Sequence, residues 1–146
     1  MDQVPIKDGL FTWPAAEPRL LGSRCVSCGA YTFPAQSGCP RCAGTDMESV
    51  ELSRRGTIWT WTTQEFLPKA PPYAGPETAE TFEPYYVGYV ELAGELRVES
   101  RLVGFEDAAP RIGQQVAMVV VPFKTDEDGR EVMVYAFGPA GEADHG

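Results

Sequence analysis

Four cysteines in two pairs constrain this 146-residue chain more than any other feature. The pairs are Cys25-Val-Ser-Cys28 and Cys39-Pro-Arg-Cys42, and ten residues separate them. This spacing is typical of four thiolates that bind one tetrahedral Zn²⁺. Gly29, Pro40 and Gly44 favour sharp turns beside the sulfurs, because glycine tolerates positive φ and proline pre-sets φ. The sequence therefore predicts a closed, structural zinc site, whose metal has no open position for water.

Two other uses of the cysteines compete with zinc. Residues 1–5 show neither the basic start nor the apolar core of a signal peptide, so we expect a reducing, cytoplasmic location. In such a compartment paired CxxC sequences bind metal more often than they form disulfides. A thioredoxin-like redox pair would open a helix after a strand, whereas Pro40 and the nearby glycines favour turns. Metal binding is the preferred interpretation.

The charge balance bears on the class of partner. The chain has 21 acidic and 12 basic residues, a formal net charge of −9. Such a surface repels a phosphate backbone, whereas nucleic-acid modules usually show a basic patch. No apolar stretch approaches the length of a membrane span, although 43% hydrophobic residues suffice for a core. We therefore expect neither a membrane nor a nucleic-acid partner.

The chain is poorly equipped for catalysis of its own. Its single histidine, His145, is the next-to-last residue, in a tail whose composition is typical of disorder. No other histidine is present to serve as a general base, and all four thiols are assigned to metal. An independent carboxylate-based hydrolase is a further option, but no specific pair of acidic residues supports it. We predict no catalytic residues.

The first half of the chain divides into an arm and a ribbon. Residues 1–19 carry three prolines, which disfavour a long helix, and the aromatic residues Phe11 and Trp13. We prefer the interpretation that these rings pack onto the body of the protein, the alternative being that they dock onto a partner. Residues 20–53 contain the cysteines and form the predicted zinc ribbon.

The sequence of the second half predicts β-strands throughout. Runs rich in β-branched and aromatic residues, or alternating with period two, predict five strands and no convincing helix. These predicted strands span residues 57–63, 85–92, 95–103, 115–121 and 131–137. Five strands of this kind indicate a small OB-fold barrel over residues 54–138, followed by a flexible tail over 139–146. The expected fold is thus mainly β: arm, ribbon, barrel.

The connection over residues 67–84 is longer than an ordinary loop. It contains five prolines, and loops between elements usually have roughly 4–6 residues. Its aromatic residues Tyr73 and Phe82 could fold back on the barrel or anchor a partner. The two interpretations remain open.

An ordered set of motifs resembles a known family. The set is Cys-x-x-Cys-Gly, Phe33-Pro34, Cys-Pro-x-Cys, then residues 56–62, Pro84-Tyr85-Tyr86 and residues 112–116. Together these resemble the zinc-ribbon and OB-fold family known as domain of unknown function 35, over Leu10 to Pro139. The resemblance implies that the four cysteines are zinc ligands.

The resemblance also implies a role. Members of that family are small accessory subunits of thiolase-superfamily enzymes that act on acyl-CoA, including thiolases, the archaeal hydroxymethylglutaryl-CoA synthase system and steroid side-chain aldolases. We therefore expect a non-catalytic subunit in lipid or steroid degradation, bound to a thiolase-like enzyme as two plus two chains. A coenzyme A thioester is expected at the interface. The candidate contacts for partner or ligand are Phe11, Trp13, Arg54, Arg55, Lys69, Tyr73, Phe82 and Tyr85.

The alternative function is binding of single-stranded nucleic acid. Trp59, Trp61 and Tyr85 would then serve as stacking platforms on an OB-type face. Aromatic residues in strands are more often part of the core, and the acidic charge opposes this alternative.

Overall fold

The computed structural model describes residues 2–65, 67, 77–78 and 81–140, and these residues form strands, turns and bends. No helix that could cross a membrane occurs in the described part of the chain. Lys69, Tyr73 and the end of the tail lie outside the described residues. The strands are β1 (Gln3–Pro5), β2 (Leu21–Cys25), β3 (Tyr31–Thr32), β4 (Met47–Glu51), β5 (Arg55–Gln64), β6 (Tyr85–Glu91), β7 (Arg97–Leu102), β8 (Gln115–Thr125) and β9 (Glu131–Pro139).

Five of these strands close into the predicted barrel. The pairing runs β5–β6–β7–β9–β8, and β8 returns to pair with β5. All contacts within the barrel are antiparallel except β7 with β9, which pair in parallel at Leu102 and Phe137. A Greek-key barrel of five strands is the OB-fold arrangement. The mainly β prediction is confirmed, including the five strand positions.

The cysteine-bearing segment forms a separate three-stranded sheet. Its order is β3–β2–β4, and both pairings are antiparallel. Gly22 lies in the central strand, where an added Cβ would meet the carbonyl oxygen of Thr32 at 2.4 Å. Glycine is needed there because the neighbouring backbone approaches so closely.

A β-bulge interrupts strand β5. The register with β6 shifts between Ile58 and Thr60, so Trp59 is an extra residue without a partner of its own. Trp59 consequently faces solvent with 47% of its surface exposed. Trp61 falls on the inner side, where its ring meets that of Tyr86 edge to face at 5.5 Å. Simple alternation would have placed both tryptophans on one face.

One hydrophobic cluster joins the arm, the ribbon and the barrel. Phe11 of the arm is 3% exposed, and Leu20 and Leu52 at the two ends of the ribbon are fully buried. All three belong to the same cluster as barrel residues such as Ile58 and Phe137. The preferred interpretation that Phe11 packs onto the body is confirmed, and the ribbon and barrel share a core.

The structure corrects two details of the sequence analysis. The continuous apolar run at residues 115–121 predicts a strand buried on both faces. Val119 is nevertheless 36% exposed, and β8 is only half-buried beyond it. The reason is that β8 and β9 continue past the barrel as a long hairpin. The arm is also more regular than expected, since β1 pairs in parallel with β9 at residues 131–133.

The tip of this hairpin is the turn over residues 126–129, whose sequence Asp-Glu-Asp-Gly is typical of hairpin turns. Gly129 has a φ of +79°, and its amide donates to the carbonyl oxygen of Asp126. The Asp126 carboxylate accepts hydrogen bonds from the amides of Asp128 (3.0 Å) and Arg130 (2.8 Å) and from Arg130 Nε (2.9 Å). Donation by the Arg130 amide, aided by its guanidinium charge, lowers the pKa of Asp126.

Candidate metal centre and binding residues

The four cysteine sulfurs converge on one point. All four lie within 4.8 Å of one another, and the Sγ–Sγ distances are 3.6 Å for Cys25–Cys42 and 3.6 Å for Cys28–Cys39. Sulfurs that each bind one Zn²⁺ at about 2.3 Å stand about 3.8 Å apart in a tetrahedron. A disulfide would need about 2.05 Å. The geometry fits a zinc centre with four cysteine ligands, in agreement with the sequence prediction.

The first knuckle follows the end of β2. Gly29 turns the chain with a φ of +80°, and its amide donates to the carbonyl oxygen of Cys25 at 2.8 Å. The amide of Cys28 points at the Cys25 sulfur at 3.5 Å. This donation is the largest cause that lowers the pKa of Cys25, and burial of the sulfur opposes it.

The second knuckle differs from expectation in one residue. The positive φ falls on Ala43, at +63°, and Gly44 does not have one. Gly44 is needed for space instead, because an added Cβ would stand 3.2 Å from the Cys42 sulfur. The turn is closed by the Ala43 amide, which donates to the carbonyl oxygen of Cys39 at 2.9 Å.

Backbone amides and neighbouring sulfurs shift the thiol pKa values in opposite directions. Donation by the amides of Cys42 and Arg41 lowers the pKa of Cys39 to about 6, although burial opposes the shift. At Cys42 the Gly44 amide lowers the pKa, but contacts with the other sulfurs outweigh it and raise the value to about 11. Neighbouring thiolates repel one another, so the four thiols do not ionise together easily. A divalent cation at their centre offsets this repulsion.

A zinc ion held by four protein ligands has no free position for water or substrate. Cys25 and Cys39 are also buried, and Cys42 is the exposed member of the set. The arrangement therefore supports a structural centre that holds the ribbon together.

The arm places its two aromatic residues differently. Phe11 is buried and forms an isolated bridge with Leu20, whereas Trp13 is half-buried. The two rings meet edge to face at 6.3 Å, and Trp13 Nε1 donates to the carbonyl oxygen of Gln3 at 3.5 Å. Trp13 thus fastens the strand of the arm, and any contact with a partner stays a prediction.

Arg54 lies inside the protein with 8% of its surface exposed. Its Nε donates to the carbonyl oxygen of Pro18 at 3.2 Å, and its Nη2 donates to that of Met118 at 3.1 Å. The guanidinium therefore links the arm to the barrel, which explains its position by structure alone. Arg55, the next residue, is half-buried at the start of β5 and lines a shallow surface hollow with Glu91 and Gln115.

Phe82 and Tyr85 form a contact at the entrance to β6, where their rings meet at 6.0 Å. The guanidinium of Arg101 covers the Tyr85 ring at 3.7 Å. Lys69 and Tyr73 fall outside the described residues, so their roles stay predictions.

Sequence reasoning missed the residues that surround Tyr85 on the outer side of the barrel. Tyr89, Arg97, Glu99 and Arg101 all point outward, at alternate positions of β6 and β7. The signal was available, because both strands alternate cleanly and their odd-numbered residues share one face.

Comparisons with known proteins extend over most of the chain. Residues 12–48 match the family "ChsH2, rubredoxin-like zinc ribbon domain", and residues 49–121 match "ChsH2, C-terminal OB-fold domain". The two matches meet between residues 48 and 49.

Two curated proteins and one solved structure are similar to the chain. The benzoylsuccinyl-CoA thiolase subunit BbsA of Thauera aromatica is 34% identical over 82% of this chain and 76% of its own length. A DUF35 domain-containing scaffold protein of Methanocaldococcus jannaschii is 31% identical over 82% of this chain and 81% of its own. The structure of an Ltp2-ChsH2(DUF35) aldolase gives a TM-score of 0.58 at 26% identity, covering 83% of this chain and 84% of that one. None of these names supports the nucleic-acid alternative. The chain belongs to the ChsH2-type DUF35 family of zinc-ribbon and OB-fold proteins.

Proposed function

We propose that this chain is a non-catalytic accessory subunit that binds a thiolase-superfamily enzyme and supports cleavage or formation of carbon–carbon bonds in acyl-CoA. The observation that carries the proposal is the similarity to a thiolase subunit at 34% identity over most of both chains. The likeness to an aldolase structure that contains a DUF35 chain points in the same direction. The thiolase-like partner supplies the catalytic groups, and this chain supplies a rigid folded surface.

The metal centre supports a scaffolding role. Its four sulfurs fill the coordination sphere of zinc, so the ion stabilises the ribbon without contacting substrate. Zinc at this point holds three short strands that would bury little apolar surface by themselves. The partner thus meets a preorganised surface, which lowers the entropy cost of association.

The experiment is co-expression of this chain with whichever thiolase-superfamily protein is encoded nearest to it in the genome. We expect one stable complex in size-exclusion chromatography, and acyl-CoA cleavage by the complex but not by either protein alone. A neighbouring protein that is monodisperse and fully active without this chain would contradict the proposal.

Finer features of the complex belong to the same proposal. We place it in the cytoplasm and assign it two copies of each chain, which native mass spectrometry of the purified complex measures directly. We also place a coenzyme A thioester at the interface, since a relative is named for a CoA-thioester substrate. Binding of a non-hydrolysable acyl-CoA to the complex, but not to this chain alone, is the expected result.

A further inference from the structure

The outer side of strands β5, β6 and β7 concentrates the residue types that are enriched at protein interfaces. We call it the aromatic face and define it by Trp59, Tyr85, Tyr89, Arg97, Glu99 and Arg101. Tryptophan, tyrosine and arginine are the residues that most often dominate binding energy between proteins. Trp59 and Tyr89 are 47% and 41% exposed, and their rings meet edge to face at 6.3 Å.

Both arginines of the aromatic face lie on aromatic rings. The Arg97 guanidinium stands 4.0 Å from the ring centroid of Trp59 and also pairs with Glu91 at 3.3 Å. The Arg101 guanidinium stands 3.7 Å from the ring of Tyr85 and 5.4 Å from that of Phe123. Stacking of this kind restricts long side chains before any partner arrives, so less conformational entropy is lost on binding.

Two hollows lie side by side on this face. One, of about 240 Å³, is lined by Thr60, Thr62 and Tyr89, and the other, of about 210 Å³, by Tyr85 and Tyr135. Val87 and Glu99 line both, so the hollows adjoin each other across these two residues. Each is large enough for one apolar side chain of a partner.

Glu99 supplies the carboxylate of the aromatic face. Its side chain is exposed, and within the described part of the chain its carboxylate makes no salt bridge, since the pairs there are Arg24–Glu48, Arg97–Glu91 and Arg130 with two aspartates. Tyr89 is its cross-strand neighbour. Burial and this nearby carboxylate raise the pKa of Tyr135.

The charges on the aromatic face indicate which kind of macromolecule can bind there. Glu99 and the adjacent Glu91 offset Arg97 and Arg101, so the aromatic face together with Glu91 carries no net charge, in a chain whose net charge is −9. Interleaved carboxylates would repel a nucleic-acid backbone. A second copy of this chain brings another −9, which opposes self-association. A protein surface with apolar side chains beside a cation matches both the hollows and Glu99.

We propose that the aromatic face is the docking surface for the thiolase-like partner, which presents a lysine or arginine to Glu99 and apolar side chains to the two hollows. This inference rests on the proposed function and adds the location and chemistry of the contact.

The test is titration calorimetry of the zinc-loaded chain with the same thiolase-superfamily protein that is used for co-expression. Glu99→Arg is expected to raise Kd by about tenfold or more, because it opposes a cation with a cation. Glu99→Gln is expected to raise it less and to remove part of the salt dependence. Trp59→Ala and Tyr89→Ala are each expected to raise Kd by about fivefold or more.

Glu127→Arg is the matched control. Glu127 lies exposed in the turn between β8 and β9, so this variant changes the net charge as Glu99→Arg does, away from the aromatic face. We expect its Kd to equal that of the original chain. Zinc content and melting temperature of every variant establish that it is folded.

The outcomes separate the two proposals. If the original chain binds and all four variants bind equally well, the docking surface is elsewhere and the proposed function stands. If the original chain does not bind the neighbouring protein, both fail. Loss of a homodimer in sedimentation, or loss of oligo-dT binding, in Trp59→Ala without loss of partner affinity would assign the face to another occupant and overturn the inference.

Discussion

The guanidinium of Arg54 donates a hydrogen bond to the carbonyl oxygen of Met118, 64 residues further along the chain. A second hydrogen bond, to Pro18, draws the arm to the same point. In return the Met118 amide donates to the carbonyl oxygen of Arg54 at 2.7 Å. Arg54 therefore fixes the segment between ribbon and barrel through both its side chain and its backbone carbonyl.

Replacing Arg54 with methionine is expected to lower the free energy of unfolding by about 2 to 3 kcal/mol. The reason is that two carbonyl oxygens lose their donor in a region with little access to water. Urea denaturation of the zinc-loaded protein measures the change. Arg111→Met makes the same chemical change at an exposed position and is expected to stay within about 0.5 kcal/mol. Equal stability of the Arg54 variant would show that these contacts do not hold the segment.

Replacing Cys25 with serine is expected to abolish stoichiometric zinc and to lower the melting temperature sharply. Structural zinc contributes about 10 kcal/mol or more to the folding of small zinc domains. Elemental analysis and thermal melting of the purified protein check both effects, and a strong chelator should reproduce the second. Val26→Ser, at a 51% exposed position in the same knuckle, should keep its metal. Purified protein that lacks metal yet melts at the same temperature would contradict a structural centre.

The two tryptophans of β5 are expected to respond differently to truncation. Trp61→Ala should lower the free energy of unfolding by about 2 kcal/mol or more, because its ring packs against Tyr86 under the barrel surface. Trp59→Ala should cost less than about 1 kcal/mol, since its side chain faces solvent. Chemical denaturation of the two variants under one set of conditions gives the comparison. The opposite ranking would mean that the bulge is wrongly placed.

Gly88→Ala is expected to destabilise the barrel by about 1 to 3 kcal/mol. An added Cβ would meet the carbonyl oxygen of Thr60 at 2.4 Å, and that oxygen belongs to a paired strand that cannot move aside easily. Gly38→Ala is the control, because its Cβ would stand 3.9 Å from the nearest atom and its φ is ordinary. The melting temperatures of the two variants are compared. Equal melting temperatures would show that the backbone at Gly88 does not lie so close to the carbonyl oxygen of Thr60.

Asp126→Asn is expected to destabilise the protein in a pH-dependent way. The folded-state pKa of Asp126 is lowered, so its contribution is fully present above the pKa of the unfolded carboxyl, about 3.9. That contribution is lost as the pH falls through the lowered folded value. The gap in melting temperature between the original chain and the variant should therefore be constant near neutrality and shrink in acid. Asp107→Asn makes the same chemical change in an exposed loop and is the control, whose melting temperature near neutrality should equal that of the original chain.

Local patterns predicted the strands and the metal well. The apolar alternation of residues 95–103 and the β-branched run at 57–63 lie where the structure has β7 and β5, because period-two burial is a local property. The cysteine spacing likewise predicted four converging sulfurs, since each knuckle is a local turn.

Features that depend on distant parts of the chain were not predictable in this way. The parallel pairing of Val4 with Val132 and the burial of Arg54 arise only when the arm meets the barrel. Ala43 adopts a φ of +63°, although a glycine follows it. Glycine is needed at position 44 for a different reason, because an added Cβ there would crowd the Cys42 sulfur. The outward position of Trp59 depends on a one-residue bulge that alternation does not reveal.

That bulge separates two kinds of evolutionary change. Trp59 is the extra residue of the bulge. Deleting residue 59 from the chain would restore regular alternation in β5 and leave Ile58 and Trp61 facing the core. The tryptophan can therefore be lost, gained or exchanged between relatives without disturbing the interior that folds the barrel. Selection for a different partner could reshape this part of the exterior while selection for stability holds the interior constant.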